Sequence, residues 1–379
     1  MSKERFSISL LFFLCGLNFA TWATRIPDYK IFLHLTDADL GKVLLGLPIG
    51  SLVSLPLAGW MLTKYKSRYI CLMAIFMYIL VIPIIGISNS QLTLFASLFG
   101  FGMAGDILNI AMNTQVVALE NKLNKVVMSS FHAVFSLGLM FGAFLGGILV
   151  KYEFSPLQHF SIIAGIDLIS IPFFYPFIIK EDLHVEKKEN KSSIFSLSPY
   201  LVILSIIALC GMLCEGAMAD WITLYFKENV INNPFPHTIG FTAFALAMVI
   251  GRFLGDYLTI RFGIKQMLIA SGLILAFGIG IALFFDLVYL KILGCLITGF
   301  GISTIVPLVY SAAGNSGDIP PSVAIAGVST IAYAGFLLGP VLIGYLSDFI
   351  GLPNALVLLI ILGLVGALIS KYSLRISRN

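Results

Sequence analysis

The sequence predicts an all-α membrane protein with twelve transmembrane helices in two pseudo-symmetric six-helix bundles. Three observations predict it. First, 59% of the 379 residues are hydrophobic, only 11% are charged, and mean hydropathy is +0.99. A soluble domain carries about 25% charged residues. Here 23 Lys+Arg and 19 Asp+Glu are too few to cover the chain, so its apolar surface faces lipid. Second, the apolar residues gather into runs close to the roughly 20 residues that a helix needs to cross hydrocarbon. Third, the two halves repeat at a near-constant spacing. This composition excludes a cytosolic enzyme, a nucleic-acid binder and a disordered chain. The net charge of +4 reads as a topology signal rather than as the mark of an acidic partner.

The runs are 7–27, 39–63, 69–88, 92–118, 129–150, 157–179, 199–226, 238–260, 266–285, 289–313, 322–346 and 353–370. Gly, Pro and short charged clusters separate them. None alternates apolar and polar residues as a membrane barrel strand does. The first run follows Lys3 and Arg5, as a secretory signal would. It continues through Trp22-Ala23-Thr24-Arg25 without a small-x-small cleavage site, so it is read as the first helix. The five cysteines at 15, 71, 210, 214 and 295 lie inside apolar runs without paired loop spacing. They read as packing residues, with no disulfide and no metal site.

Loop charges orient the chain. With a cytoplasmic N-terminus, sixteen Lys and Arg fall inside, among them Lys64, Arg68, Arg261 and Lys265. Six fall outside, namely Arg25, Lys30, Lys42, Lys151, Lys227 and Lys291. That bias places both termini in the cytoplasm. The longest polar stretch, Lys180–Ser193, lies midway and divides the chain into an N-terminal bundle (1–179), a cytoplasmic linker (180–198) and a C-terminal bundle (199–379). Asn190-Lys191-Ser192 inside it fits a glycosylation sequon but lies on the wrong side of the membrane to be used.

The bundles echo each other. Leu14-Cys15-Gly16-Leu17 is repeated as Leu209-Cys210-Gly211-Met212, and Gly100-Phe101-Gly102 as Gly299-Phe300-Gly301. Gly138-xxx-Gly142 returns 197 positions later as Gly335-xxx-Gly339, and Pro156 returns as Pro353 at the same spacing. Two parallel six-helix repeats are a transporter plan in which a substrate site forms at mid-depth between the halves.

On these features the chain resembles the major facilitator superfamily. That family carries G-x-x-x-D-[RK]-x-G-x-[RK] between helices two and three. Here Gly59, Lys64 and Arg68 match, with Thr63 and Lys66 replacing the Asp and the second Gly. A degraded copy, Arg261-Phe262-Gly263-Ile264-Lys265, ends 197 positions after Arg68. Trp22-Ala23-Thr24-Arg25, Glu215-Gly216-x-x-x-Asp220-Trp221 and Gly251-Arg252-Phe253-x-Gly255 are similar to the fucose-permease-like bacterial subgroup. Sugar–proton symporters of that subgroup carry Glu-x-x-x-Asn on helix four, where this chain has Asn109 and Asn113. The resemblance implies a monomer in the bacterial inner (plasma) membrane.

Polar groups within the runs are costly, roughly 2.5–3.5 kcal/mol per charge on insertion scales, so each needs a reason. Asp106, Asn109 and Asn113 share one helix face; they line an aqueous cavity or hold helices together. Asn18, Trp22 and Arg25 form a second stripe. Either the indole stacks on a sugar and the guanidinium grips a carboxylate, or the pair is an interface-belt Trp with a snorkelling Arg. Glu215, with Asp220 and Trp221 beyond it, is the first candidate for loading and releasing a proton, and Asp106 is the second. The plainer alternative neutralises Glu215 with a partner such as Arg25. Arg252 and Asp256, four residues apart, suggest a structural or gating ion pair. His132 reads as a packing residue or part of a gate, and Lys64, Arg68, Arg261 and Lys265 as braces of a closed inner face. The runs Gly138–Gly147 and Gly335–Gly344 resemble an antiporter signature, but close helix packing alone explains them.

These residues predict a secondary active transporter that moves a small polar solute, sugar-like or a small organic molecule, by alternating access coupled to protons. Its partners are that solute, protons and the lipid bilayer, with no nucleic acid and no cofactor. The alternative is a proton-coupled antiporter or exporter of a metabolite or drug. An intramembrane enzyme or receptor ranks below both. H-E-x-x-H, G-x-S-x-G, G-x-G-D and a phosphate-binding loop are all absent from the sequence.

Overall fold

The computed structural model describes residues 2–123, 127–180, 197–230, 234–317 and 321–373, without the side chains of 129, 256, 321–323, 326 and 373. Most of the predicted linker (180–198), its sequon, the chain ends and the Asp256 side chain lie outside the described residues. The described residues are helical. In chain order the helices are α1 (Lys3–Ala23), α2 (Ile26–Phe32), α3 (Asp37–Leu44), α4 (Gly46–Lys64), α5 (Ser67–Gly86), α6 (Gln91–Leu123), α7 (Met128–Lys151) and α8 (Pro156–Phe174). They continue as α9 (Pro199–Asn229), α10 (Ile239–Phe262), α11 (Ile264–Phe284), α12 (Val288–Ile302), α13 (Ile305–Gly314), α14 (Pro321–Ile350), α15 (Leu352–Ala355) and α16 (Val357–Ser373).

Among the described residues, sixteen helices arise from twelve apolar runs because four runs break. The first breaks at Thr24–Arg25, where Pro27 opens α2; the others break at Leu45, at Ser303–Thr304 and at Leu356. Among the described residues, eleven stretches are long and apolar enough to cross a membrane, and Ile239–Gly255 is a shorter apolar helix. The chain is therefore a multi-pass membrane protein. All five cysteines are free and buried.

The contacts divide the chain into two compact units. One comprises Met1–Lys187 with Phe235–Thr242, and the other Lys188–Pro234 with Ala243–Asn379. Inside the first, α1 packs on α7, α4 on α6, and α5 on α6 and α8. Inside the second, α9 packs on α14, and α11 on α12 and α16. The repeat is visible in individual atoms. A Cβ on Gly138 would meet the Phe13 carbonyl and the Leu17 amide; one on Gly335 would lie 2.6 Å from the Leu209 carbonyl oxygen and 2.9 Å from the Leu213 nitrogen. Gly102 abuts the Leu47 carbonyl and Gly299 the Phe244 carbonyl, both pairs 197 positions apart. The true counterpart of Gly102 is therefore Gly299, two positions from the sequence alignment. The α1/α9 register of 196 likewise sets Gly211 opposite Cys15 rather than Gly16. Small residues at these crossings let two helix backbones touch, and dispersion across that contact replaces the hydrophobic drive that lipid removes.

The lipid faces repeat too. Leu80 on α5 is 65% exposed and Phe277 on α11, 197 positions on, is 64% exposed. Phe76, Leu80 and Ile84 make one apolar stripe at four-residue spacing, as a lipid-facing helix requires.

One equivalent pair has diverged. Tyr29 Oη donates to the Ile85 carbonyl at 2.5 Å, and Tyr225 Oη donates to the Ala282 carbonyl at 3.0 Å. Among the described residues, only the second tyrosine hydrogen-bonds a cation: Lys291 Nζ donates to Tyr225 Oη at 2.8 Å and to the Ala282 carbonyl at 3.3 Å. Lys291 belongs to the helix and is buried, not the exposed outer-loop cation of the charge tally. Tyr225→Phe should cost about 2 kcal/mol, because a buried ammonium loses an acceptor, and Tyr29→Phe about 1 kcal/mol. Melting curves in detergent should rank the two variants in that order.

Candidate functional site

In the first unit the polar residues form two groups. The inner group lies on α1, α6 and α8. Asn18 is fully buried, and its Nδ2 donates to Asp167 Oδ1 at 3.2 Å. Asp106 is buried on α6, and the Asn109 side chain hydrogen-bonds it. Asn113 Nδ2 donates to the Asn109 carbonyl at 2.8 Å and to Asn109 Oδ1 at 2.9 Å. On the predicted common face, the Asp106 carboxyl is thus followed by two linked amides, Asn109 and Asn113. Four acceptor oxygens in this group have no hydrogen-bond partner among the described residues: Asn18 Oδ1, Asp106 Oδ2, Asn113 Oδ1 and Asp167 Oδ2. Leaving such a group unpaired costs about 1–3 kcal/mol each.

The second group locks the break after α1. Arg25 is 3% exposed. Its Nε donates to His159 Nδ1 at 3.0 Å, its Nη1 to Asp28 Oδ2 at 2.8 Å and its Nη2 to the Phe154 carbonyl at 2.8 Å. One sequence expectation changes here: Arg25 is buried and does not snorkel. Each guanidinium nitrogen already holds a partner that fixes the turn between α1 and α2. Trp22 is buried, not an interface-belt residue, with its ring 5.6 Å from that of Tyr29; its Nε1 has no partner among the described residues.

In the second unit Glu215 is half-buried on α9, and Arg252 Nη2 donates to its Oε1 at 3.2 Å. This interhelical pair arises because α9 brings Glu215 within reach of α10; the expected Arg252–Asp256 pair falls on a side chain outside the described residues. Asp220 is half-buried and Trp221 fully buried, with an unpartnered Nε1 among the described residues.

The candidate gating cations occupy helix ends. Lys64 and Arg261 are exposed, and Lys265 is half-buried. Arg68 lies over the Tyr175 ring at 4.7 Å and the Tyr69 ring at 5.4 Å. His132 is exposed, with an edge-on contact to Phe12 at 5.5 Å, so it is not a core packing residue. Beside Arg68, Ser67 Oγ accepts from Gln115 Nε2 at 2.6 Å, and the same nitrogen donates to the Ile179 carbonyl at 3.0 Å, tying α6 to the start of α5 and to the segment that follows α8. A cavity of about 820 Å³ in the first unit is lined by Lys3, Glu4, Asn121, Lys122, Phe177 and Lys180, not by the predicted substrate residues.

Sequence reasoning missed Asp167, His159 and Lys291. Asp167 carried the clearest signal, as the sole acidic residue of the run 157–179. Among the described residues no group of three or more His, Cys, Asp or Glu could hold a metal.

The family model described as Major Facilitator Superfamily matches residues 8–320. An uncharacterized MFS-type transporter of Yersinia pestis is 33% identical over 356 residues, covering 93% of this chain and 91% of its own. Membrane protein MosC of Rhizobium meliloti is 28% identical over 369 residues, covering 97% and 89%. Among solved structures, a mutant of the nucleoside transporter NupG superposes with a TM-score of 0.78 at 14% identity, covering 98% of this chain and all of its own. An inward-facing, unoccupied bacterial homolog of the human lysosomal transporter Spinster gives 0.77 at 13%, covering 98% and 96%. At those identities the likeness establishes the fold, and the family match and curated relatives point to transport rather than enzymatic chemistry. The chain belongs to the Major Facilitator Superfamily.

Proposed function

We propose that this transporter is secondary active and moves a small polar solute, sugar-like or a small organic molecule, across the bacterial inner membrane by alternating access, with protons as the coupling ion. The observation that carries the reading is the set of four buried acceptor oxygens on α1, α6 and α8 that lack donors among the described residues. Hydroxyl groups of a polyol or sugar, or a proton on a carboxyl, supply the missing donors. An apolar drug does not. The glycines of α7 give no independent support to export, because the carbonyls and side chains of α1 already account for Gly138, Gly142 and Gly146.

In this reading Asp106 and Glu215 load and release protons. Protonating Glu215 removes the charge that holds Arg252, so the pair between α9 and α10 loosens when a proton arrives. Asn18, Asn109, Asn113, Trp22, Asp220 and Trp221 contact the solute, and Arg25 fixes the end of the first helix. Lys64, Arg68, His132, Arg252, Asp256, Arg261 and Lys265 control the gate. The protein works as a monomer.

Proteoliposomes with an imposed pH gradient test this. A panel of sugars, polyols, small acids and nucleosides should contain at least one solute taken up with the gradient. Asp106→Asn should reduce that uptake to background while counterflow exchange of the solute survives. If no solute in the panel responds to the gradient, or if Asp106→Asn matches the wild type, the reading is wrong.

A further inference from the structure

The unpaired atoms around Asn18 have a pattern of their own. Asn18 and Asp167 are both fully buried and share one hydrogen bond, from Asn18 Nδ2 to Asp167 Oδ1. The two atoms left over, Asn18 Oδ1 and Asp167 Oδ2, are both acceptors without a partner among the described residues. A carboxylate and an amide can make only one bond between them, because a carboxylate has no hydrogen to give. A carboxylic acid and an amide can make two, closing a ring in which the amide N–H donates to one carboxyl oxygen and the carboxyl O–H donates to the amide oxygen. A single proton on Oδ2 therefore gives both leftover atoms a role.

The geometry points to Asp167 and Asn18 as a proton-binding pair, in which Asp167 Oδ2 takes the proton and donates it in a hydrogen bond to Asn18 Oδ1. The proton comes from water or from the gradient and is returned when the carboxyl ionises; no covalent bond between heavy atoms changes. Asp167 lies on α8, which packs against α1 and α5. The titratable groups that face it are Cys15 on α1 and Tyr78 on α5, both of which also lie within reach of Asp106 on α6. None of these neighbours is a cation. An ionised Asp167 would thus remain in the membrane interior without a counter-charge, the costliest state for a buried charge. Cys15 and Tyr78 are engaged with each other, their Sγ and Oη 4.0 Å apart. The amide thus serves as a sensor of the carboxyl, holding one oxygen in either state and both only when the proton is bound. As a carrier of transported protons the pair rests on the proton-coupled reading above. As a proton-binding site it does not.

Infrared difference spectroscopy of the full chain in liposomes, stepped between mildly acidic and alkaline pH, tests the pair directly. The wild type should show a carboxylic C=O band that disappears on the alkaline side. Asp167→Asn should abolish that band, whereas Asp106→Asn and Glu215→Gln should leave it. Asn18→Val should shift it to higher frequency, because the acid loses its amide partner. Asp167→Asn keeps the shape of the protonated acid and supplies an N–H to Asn18 Oδ1, so it should fold and melt as the acidic wild type does. The wild-type melting temperature should fall as pH rises through the titration, because deprotonation restores two unpaired oxygens, and the variant should lose that dependence. A band untouched by Asp167→Asn overturns the proposal. So does a wild-type melting temperature that responds to sodium and not to acid, which would put a metal cation in place of the proton. A uptake assay separates the two readings: loss of pH-driven uptake in Asp167→Asn supports a transported proton. If the wild type moves no solute with the gradient, proton coupling fails while the spectroscopic result stands.

Discussion

Arg252→Leu should destabilise the protein by about 3 kcal/mol, because it strands Glu215 without its partner in a low-dielectric setting. The pair spans α9 and α10, with both side chains mostly shielded and the nearest atoms 3.2 Å apart. Breaking one side of such a pair costs more than removing both, since the uncompensated charge is what is expensive. Glu215→Gln should therefore recover most of the loss when added to Arg252→Leu, and the double variant should melt closer to the wild type than Arg252→Leu alone. A thermodynamic cycle from detergent melts of the four proteins checks this. Strictly additive single effects would show that the two side chains do not interact in the folded protein. The same cycle bears on transport: if Glu215 carries a proton, Arg252→Leu should change the pH dependence of uptake as well as the stability.

The second large effect concerns helix contacts. Gly138→Leu drives a side chain into the backbone of α1 at Phe13 and Leu17, where only the glycine surface fits. Overpacking of this kind costs about 3 kcal/mol or more, because main chain cannot move aside as a flexible side chain can. Gly335→Leu should behave alike, since a Cβ there already meets the Leu209 carbonyl and the Leu213 amide. Gly59 makes the control. It belongs to the loop signature shared with the family, yet a Cβ at Gly59 meets open space. Gly59→Ala should raise stability by about 0.5 kcal/mol through helix propensity. Fluorescence-detected size-exclusion after heating would separate the three variants. Equal losses in all of them would show that contact with the neighbouring backbone is not what these glycines provide.

The outline of the fold was legible in the sequence because lipid imposes a length on apolar runs and a bundle imposes a spacing on small residues. The twelve runs fall on helical stretches, four of them broken internally, and the 197-residue spacing reappears in matched glycine contacts. The breaks were harder to see. Arg25 and Pro27 do not interrupt the apolar pattern enough to reveal that α1 stops at Ala23 and α2 starts at Ile26. Side-chain partners were least legible, because they depend on which helix faces which. Asn18 meets Asp167 across 149 positions, and Arg252 meets Glu215 across 37. A periodicity argument can assign residues to a common face. It cannot choose the neighbouring helix, so the partners held between helices stayed hidden.

The matched tyrosines carry a broader consequence. The two halves keep the same backbone crossings while the groups at corresponding positions have changed character. Asn18 corresponds to Cys214 in the α1/α9 register of 196, and Leu94 to Lys291 and Asp167 to Leu364 at a spacing of 197. Scaffold and chemistry are thus separately adjustable: side chains in one copy can be exchanged for others without disturbing the crossings that hold either copy together. A carrier assembled this way can acquire a different cargo or driving ion through a few replacements confined to a single half.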